Sequence, residues 1–287
     1  MNNEGKTTFF SKNKIACPVC GTAFLREDLL TGRGRLIAGD LTPELRRLYD
    51  PSEKYGGVCP LIYPVTVCPS CYYAAFSQDF LEVGENARKE IDEDADRRLH
   101  TAGLIFEELD FREPRTLKEG IASYYFAMMC YDYFPEEQCP TIKQGLSALR
   151  AAWLSNDMSR QEPEENYQTL AELFYRKARF FYLQALENEQ DGTEAISNDL
   201  HLGPDLDKNY GYDGVLYLAA YLELLYGKRQ DEAKRVAALK DARRTVARIF
   251  GMGKATKSKP EAILELSREL YERLGAELAP NESDGEP

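Results

Sequence analysis

The sequence predicts a mainly α-helical protein, with a small N-terminal zinc-ribbon-like module followed by a tetratricopeptide-like helical repeat array. Three observations carry that expectation. Two Cys-x-x-Cys pairs fall within the first 71 residues, helix start signals and apolar stripes of 3.6-residue period fill the remainder, and composition changes near residue 80. Residues 1–76 hold nine Lys and Arg against seven Asp and Glu and are rich in Gly, Pro and Cys, whereas residues 77–287 hold 27 against 41. The expected organisation is therefore a metal module over 1–80, a helical domain over 81–279 and a disordered polar tail over 280–287.

With 287 residues, 43% of them hydrophobic, the chain can bury a large core, and its formal net charge of −12 repels phosphate backbones. The longest nearly apolar run, Val215 to Tyr226, contains Glu223 and falls short of the roughly 20 residues that span a bilayer. The N-terminus carries lysines but no apolar signal-peptide core. A cytoplasmic location without a membrane partner is expected.

Along the first region no long helical period is present. The gap between the cysteine pairs requires an excursion through residues 25–60, in which Thr42-Pro43-Glu44-Leu45 reads as the start of a short helix. Beyond it, helices are expected at 77–110, 117–134, 142–155, 161–188, 212–227, 230–250 and 260–278. A hydroxyl followed three residues later by Glu or Gln can satisfy the free amides of a first turn, and Thr116/Glu119, Thr141/Gln144, Ser159/Glu162 and Ser258/Glu261 have this form. Gly227 closes one helix, and Asp231, Glu232 and Ala233 open the next. The strings LRAAWL (149–154) and YLAAYL (217–222) align at an offset of 68, twice the 34-residue tetratricopeptide period; an ordinary helical bundle is the alternative. The acidic connection 189–211 interrupts that period and reads as a solvated insertion, with a binding loop as the other possibility.

The sharpest chemical signal is the repeated Cys-Pro-x-Cys: Cys17-Pro18-Val19-Cys20 and Cys68-Pro69-Ser70-Cys71. Two residues between sulfurs let a tight turn present both to one ion, and two such knuckles complete the tetrahedral all-sulfur shell of structural zinc. Cys17, Cys20, Cys68 and Cys71 are thus the expected ligands and Zn(2+) the expected cofactor; an all-sulfur iron site or disulfides are the alternatives. Gly21 supplies the backbone freedom that the first turn needs. Cys59 is a possible substitute ligand, although its spacing matches no knuckle, and Cys130 and Cys139 read as small core hydrophobes.

The strings CPVCGTAF, CPLIYPVTVCPSCYYAAF, REPRTLKEGIASYYFAMMCY, LRAAWL and YLAAYLELLYG resemble an uncharacterised family of bacterial cytoplasmic proteins, classed as a domain of unknown function. The resemblance covers most of residues 15–250 and implies an N-terminal zinc-ribbon-like segment followed by a tetratricopeptide-like region. It implies no catalytic residues. Tyr72 departs from the pattern, because Gly commonly follows the second knuckle in such proteins.

No enzymatic constellation emerges. His100 and His201 lie in neither HExxH nor a triad context, Gly32-Arg33-Gly34 and Gly251-Met252-Gly253-Lys254 are incomplete phosphate loops, and Asp205, Asp207 and Asn209 mimic only the first ligands of a calcium loop. Arg26, Arg33, Arg35, Arg46 and Arg47 with Phe24, Tyr49 and Tyr55 offer a nucleic-acid surface, weighed against pairing of Arg26, Arg46 and Arg47 with Glu27, Asp28, Glu44 and Asp50. The expected function is a non-enzymatic adaptor with a peptide-binding helical groove and a protein or peptide partner. Tyr210, Tyr212, Tyr217 and Tyr221 are candidate contact residues. A zinc-ribbon nucleic-acid-binding regulator and a thiol redox sensor are the alternatives.

Overall fold

A computed structural model describes residues 6–198, 202–250 and 259–282. Four antiparallel two-stranded ribbons come first. β1 (Thr8–Phe10) pairs with β4 (Glu27–Leu29), and β2 (Ile15–Ala16) with β3 (Ala23–Phe24), so one hairpin nests inside the other. β5 (Ile37–Leu41) pairs with β6 (Arg47–Asp50), and β7 (Val65–Val67) with β8 (Ala74–Phe76). Among the described residues eight helices follow: α1 (Glu85–Glu93), α2 (Ala95–Ile105), α3 (Leu117–Cys130), α4 (Pro140–Gln161), α5 (Tyr167–Asp191), α6 (Gly211–Tyr226), α7 (Glu232–Ala247) and α8 (Glu261–Glu282). The mainly helical class with a small N-terminal cysteine module is as the sequence predicts.

Each helix from α3 to α8 packs on its neighbour in sequence, and α6 also meets α8. LRAAWL and YLAAYL form buried stretches of α4 and α6, alternate members of this stack. The ribbons are not a separate bead. α3 packs on β7 and β8, and one hydrophobic cluster runs from Cys17 to Leu278.

Several local expectations hold for the expected physical reason. Thr116 caps α3 and Glu119 returns the bond, accepting from the Thr116 backbone amide at 3.0 Å. Asp231 accepts from the Lys234 amide at 3.1 Å to open α7. Others are overturned. Residues 77–84 form turns instead of helix, and the helix expected to 110 breaks at Asp94 into α1 and α2 and ends at Ile105. Thr141 lies inside α4, where its hydroxyl donates to Glu194, whose carboxylate also accepts the Thr141 amide at 3.2 Å. A carboxylate from the following connection thus satisfies the helix start. Ser159 bonds back to Asn156 O at 2.9 Å within α4, which runs on to Gln161. Ser258 lies outside the described residues.

The short helix expected at Thr42 is a hairpin turn. The Thr42 hydroxyl accepts from the Glu44 and Arg46 amides at 3.3 and 3.2 Å, and Leu45 adopts a left-handed φ of 59°. Helical partners hold that tip. The Glu44 carboxylate accepts from Trp153 Nε1 and from Tyr175 OH, the latter at 2.8 Å, and Tyr217 OH donates to Pro43 O at 2.7 Å.

The acidic connection is likewise docked where solvation was expected. Leu202 to Asp205 are buried, and Arg150 donates to Pro204 O and Gly203 O at 2.9 and 3.0 Å. Tyr210, Tyr217 and Tyr221 are buried and Tyr212 is half-buried, which removes them as exposed contact residues. α8 continues to Glu282, and residues 283–287 of the expected tail lie outside the described residues.

Candidate metal centre

Two knuckles of the same backbone design face one another. In the first, between β2 and β3, the Cys17 amide donates to Thr22 O at 2.9 Å and the Gly21 amide to Cys17 O at 3.0 Å. In the second, between β7 and β8, the Cys68 amide donates to Tyr73 O at 2.9 Å and the Tyr72 amide to Cys68 O at 3.1 Å. Both turns need a left-handed residue after the second cysteine. Gly21 takes φ 74° at no steric cost, and Tyr72 takes φ 54° in the same place, so the departure from glycine leaves the turn intact. Packing holds Tyr72 there: its ring stacks on Phe126 at 4.8 Å and meets Phe111 edge-on at 5.8 Å.

The sulfurs of Cys17, Cys20, Cys68 and Cys71 lie within 4.8 Å of one another. Cys17 Sγ is 3.8 Å from Cys71 Sγ, and Cys20 Sγ is 3.6 Å from Cys68 Sγ. Four thiolates at about 2.3 Å from a tetrahedral zinc stand about 3.8 Å apart, so the spacing fits an all-sulfur ion site. None of the seven cysteines, all within the described residues, forms a disulfide. Cys17, Cys68 and Cys71 are buried and Cys20 is exposed, with its thiol 3.3 Å from Thr22 Oγ1.

The electrostatics of the cluster are set by the Cys17, Cys68 and Cys71 thiols, which bond to one another. Hydrogen bonds from the Cys17 and Cys71 thiols draw the Cys68 pKa down, aided by the Cys71 and Ser70 amides; the Cys17 and Cys71 thiols are pushed up, chiefly by those same bonds. A cation in the centre replaces this shared-proton arrangement, since a metal-bound thiol is deprotonated outright.

Groups around the cluster fix the knuckles. The fully buried Arg98, on α2, donates to Cys71 O at 3.2 Å and to Ile91 O at 2.6 Å. Phe80 packs tilted against Tyr73 at 4.8 Å and meets Phe24 edge-on at 5.9 Å, joining the ends of both knuckles. Sequence reasoning missed Arg98 and Phe80, because nothing in their local spacing connects them to cysteines up to 81 residues away.

Other candidates fall elsewhere. Cys59 is not in the cluster; burial pushes its thiol up to about 11. Cys130 and Cys139 are buried in the core. Arg26 pairs with Asp28 as expected, at 2.9 Å, but Arg46 pairs with Asp157 and Arg47 with Asp207, partners more than 100 residues away. Arg35 donates to Lys6 O at 2.9 Å and lies over the Tyr55 ring. Gly32, Arg33 and Gly34 form an exposed turn with positive φ. Asp205 accepts the Arg47 amide at 2.9 Å and Asn209 accepts the Gly211 amide at 2.8 Å, so the calcium-like run is spent on docking to β6 and on its own turn. His100 is exposed on α2. His201 and Gly251–Lys254 lie outside the described residues.

Among the described residues no helix is long and apolar enough to cross a membrane. A family described as an uncharacterized protein conserved in bacteria (DUF2225) matches residues 10–274, a span that includes both knuckles. A protein of Borreliella burgdorferi (strain ATCC 35210 / B31), named as an uncharacterized protein, is 43% identical over 274 residues, covering 95% of this chain and 98% of its own length. No solved structure matches the chain.

Proposed function

The chain belongs to this family of bacterial proteins, and from that membership and the geometry of its cysteines we propose that it is a non-enzymatic, zinc-stabilised interaction protein of the cytoplasm. The observation that carries the reading is the four-sulfur cluster at tetrahedral spacing. Cys17, Cys20, Cys68 and Cys71 would hold the ion, and zinc there supplies a crosslink between knuckles instead of a reaction, since four thiolates leave no open position for substrate. A site of four thiolates suits the reducing cytoplasm, where thiols persist.

The helices supply the interaction surface, in repeat-like order from α3 to α8. A groove of about 730 Å³ lies between the end of α2, the start of α3 and the α4–α5 connection. Leu104 stands 73% exposed at its edge, Phe106, Tyr167 and Leu170 give it an apolar wall, and Glu107, Glu162 and Glu165 make it acidic. Such a groove fits a basic amphipathic peptide, with the apolar wall supplying area and the carboxylates supplying selection.

X-ray absorption at the zinc edge, on protein purified reduced and without chelator, tests the metal: four sulfurs at about 2.3 Å support it, and nitrogen or oxygen in the shell overturns it. Fluorescence polarisation with a labelled Lys/Leu amphipathic peptide tests the groove. Binding is expected to be lost in Leu104→Asp, and equal binding by that variant overturns the assignment.

A further inference from the structure

The four sulfurs of the cluster are not equally guarded. Cys17, Cys68 and Cys71 are 2%, 0% and 6% exposed, whereas Cys20 is open to solvent. It is the one exposed cysteine of the chain's seven, all of which are described; Cys59 is half-buried and Cys130 and Cys139 are buried. Exposed Gly21, half-buried Thr22 and exposed Ala23 follow it, so nothing in the rest of the first knuckle covers the sulfur from the chain side. Across from it lies the buried Cys68 Sγ, at 3.6 Å. A solvent-facing thiolate with a second thiol in reach is the arrangement on which reversible cysteine oxidation depends, the first being the point of attack and the second the resolving group.

We propose that Cys20 is a site of modification by peroxides and that its oxidation opens the metal centre reversibly; the inference rests on the reading of the four cysteines as zinc ligands. A metal-bound thiol is deprotonated, so Cys20 as a ligand presents the nucleophilic form to solvent. In the first step Cys20 Sγ attacks one oxygen of hydrogen peroxide, the O–O bond breaks, and the products are the Cys20 sulfenic acid and hydroxide. In the second step the Cys68 thiolate attacks Cys20 Sγ, an S–S bond forms and a second hydroxide departs. Each of the two thiolates gives up one electron and the peroxide takes up both. Cys17 and Cys71 then remain as the only thiolates of the cluster, half of an all-sulfur shell and too few to retain zinc against a chelator.

The position of the resolving thiol makes the event recoverable. Cys17 and Cys20 belong to one turn, and a bond between them would release the first knuckle from the second. Cys20 and Cys68 belong to opposite knuckles, so a bond between them keeps the two turns facing one another. Reduction then regenerates both thiolates within an assembled site. The second sulfur pair across the knuckles, Cys17 and Cys71 at 3.8 Å, is buried on both sides and offers peroxide no point of entry.

The test treats the full chain, purified reduced and carrying its zinc, with a small molar excess of hydrogen peroxide. The readouts are a chromogenic zinc chelator, thiol titration and peptide mapping without reduction. One zinc released for every two thiols lost is expected, with a Cys20–Cys68 disulfide in the map and recovery of metal binding on adding dithiothreitol and zinc. Cys20→His exchanges the exposed sulfur for a nitrogen ligand that tetrahedral zinc also accepts, and is expected to hold zinc and release it at least about tenfold more slowly under peroxide.

Retention of zinc by the peroxide-treated wild-type chain, first modification at any other cysteine, a Cys17–Cys20 disulfide, or equally fast release from zinc-loaded Cys20→His each overturns the proposal. Should Cys20→His fail to fold, the map of the wild-type chain decides alone. A chain that carries no zinc before treatment overturns the metal reading together with this inference, whereas zinc that is present and kept under peroxide overturns this inference and leaves the metal reading standing.

Discussion

The two knuckles share spacing, hydrogen bonding and the left-handed residue that closes each turn, but they differ in what surrounds them. The first is flanked by Gly21, which touches nothing within 4 Å of where a side chain would begin, and it ends in the exposed Cys20. The second is enclosed: Val65, Val67, Ala74, Ala75 and Phe76 are buried, Tyr72 is pinned by Phe126, and Arg98 holds the Cys71 carbonyl. One turn is shaped by the core of the protein. The other is held by fewer groups, its opposing thiols, the ribbon around it and the Phe24–Phe80 ring contact, so identical motifs divide the work of the site, the enclosed knuckle being the template and the open one the clasp.

The largest effect expected from this difference is on metal removal. After chelation, amide hydrogen exchange over residues 15–24 is expected to speed up by orders of magnitude while residues 65–76 change by less than about tenfold. Equal deprotection of both would end the distinction. Next, Arg98→Met is expected to cost about 3–5 kcal/mol in urea denaturation, because it strands the Cys71 and Ile91 carbonyls in the interior, while Asp94 keeps its pair with Arg97. A loss within about 1 kcal/mol would show that the enclosed knuckle does not depend on α2.

Tyr72 separates packing from backbone strain. Tyr72→Ala is expected to cost about 3 kcal/mol for the lost ring, and Tyr72→Gly about 1 kcal/mol less, because glycine relieves the positive φ. If glycine proved no better than alanine, strain at the second turn would be ruled out.

Glu44, at the tip of the excursion between the knuckles, gives a pH signature. Burial, opposed by the bonds from Tyr175 and Trp153, holds its carboxyl above the ordinary range, so the folded chain binds that proton more tightly than the unfolded chain. The contribution is therefore fully present below the ordinary carboxylate range and declines as pH rises through the raised value, at no more than about 1.4 kcal/mol per pH unit. Glu44→Gln, whose amide oxygen can accept both bonds, is expected to flatten the stability–pH curve in that window. An unchanged curve would dissociate the hairpin tip from the titration. The smallest effect is expected at the open knuckle: Gly21→Ala has room for its methyl and should cost only about 1 kcal/mol, from φ alone, by thermal denaturation.

What the sequence discloses follows the range of the interactions involved. The four cysteines, the α3 capping box and the Asp231 cap are legible because each is settled within a few residues. The Thr42 segment is illegible locally because its conformation is decided by Trp153, Tyr175 and Tyr217, more than 100 residues away. Thr141 and Ser159 carried the right letters for helix starts, but one hydroxyl is taken by Glu194 and the other by its own helix. The acidic connection looked solvated because its anchor is Arg150, which reads locally as one more residue of an amphipathic helix. Fold class and site therefore come from local pattern, while the positions of the excursion and connection come from tertiary partners that no window of sequence contains.

The separation of the knuckles along the chain has a consequence in time. Cys68 follows Cys20 by 48 residues, so at a synthesis rate of roughly 5–20 residues per second the first pair of thiols leaves the ribosome about 2 to 10 s before the second. α3, which backs the second knuckle, is made later still. During each round of translation the nascent chain thus presents a lone dithiol, open to oxidants and to adventitious metals that accept two sulfurs. Newborn copies are therefore expected to be more open to thiol oxidation than the folded chain, in which Cys17, Cys68 and Cys71 are buried.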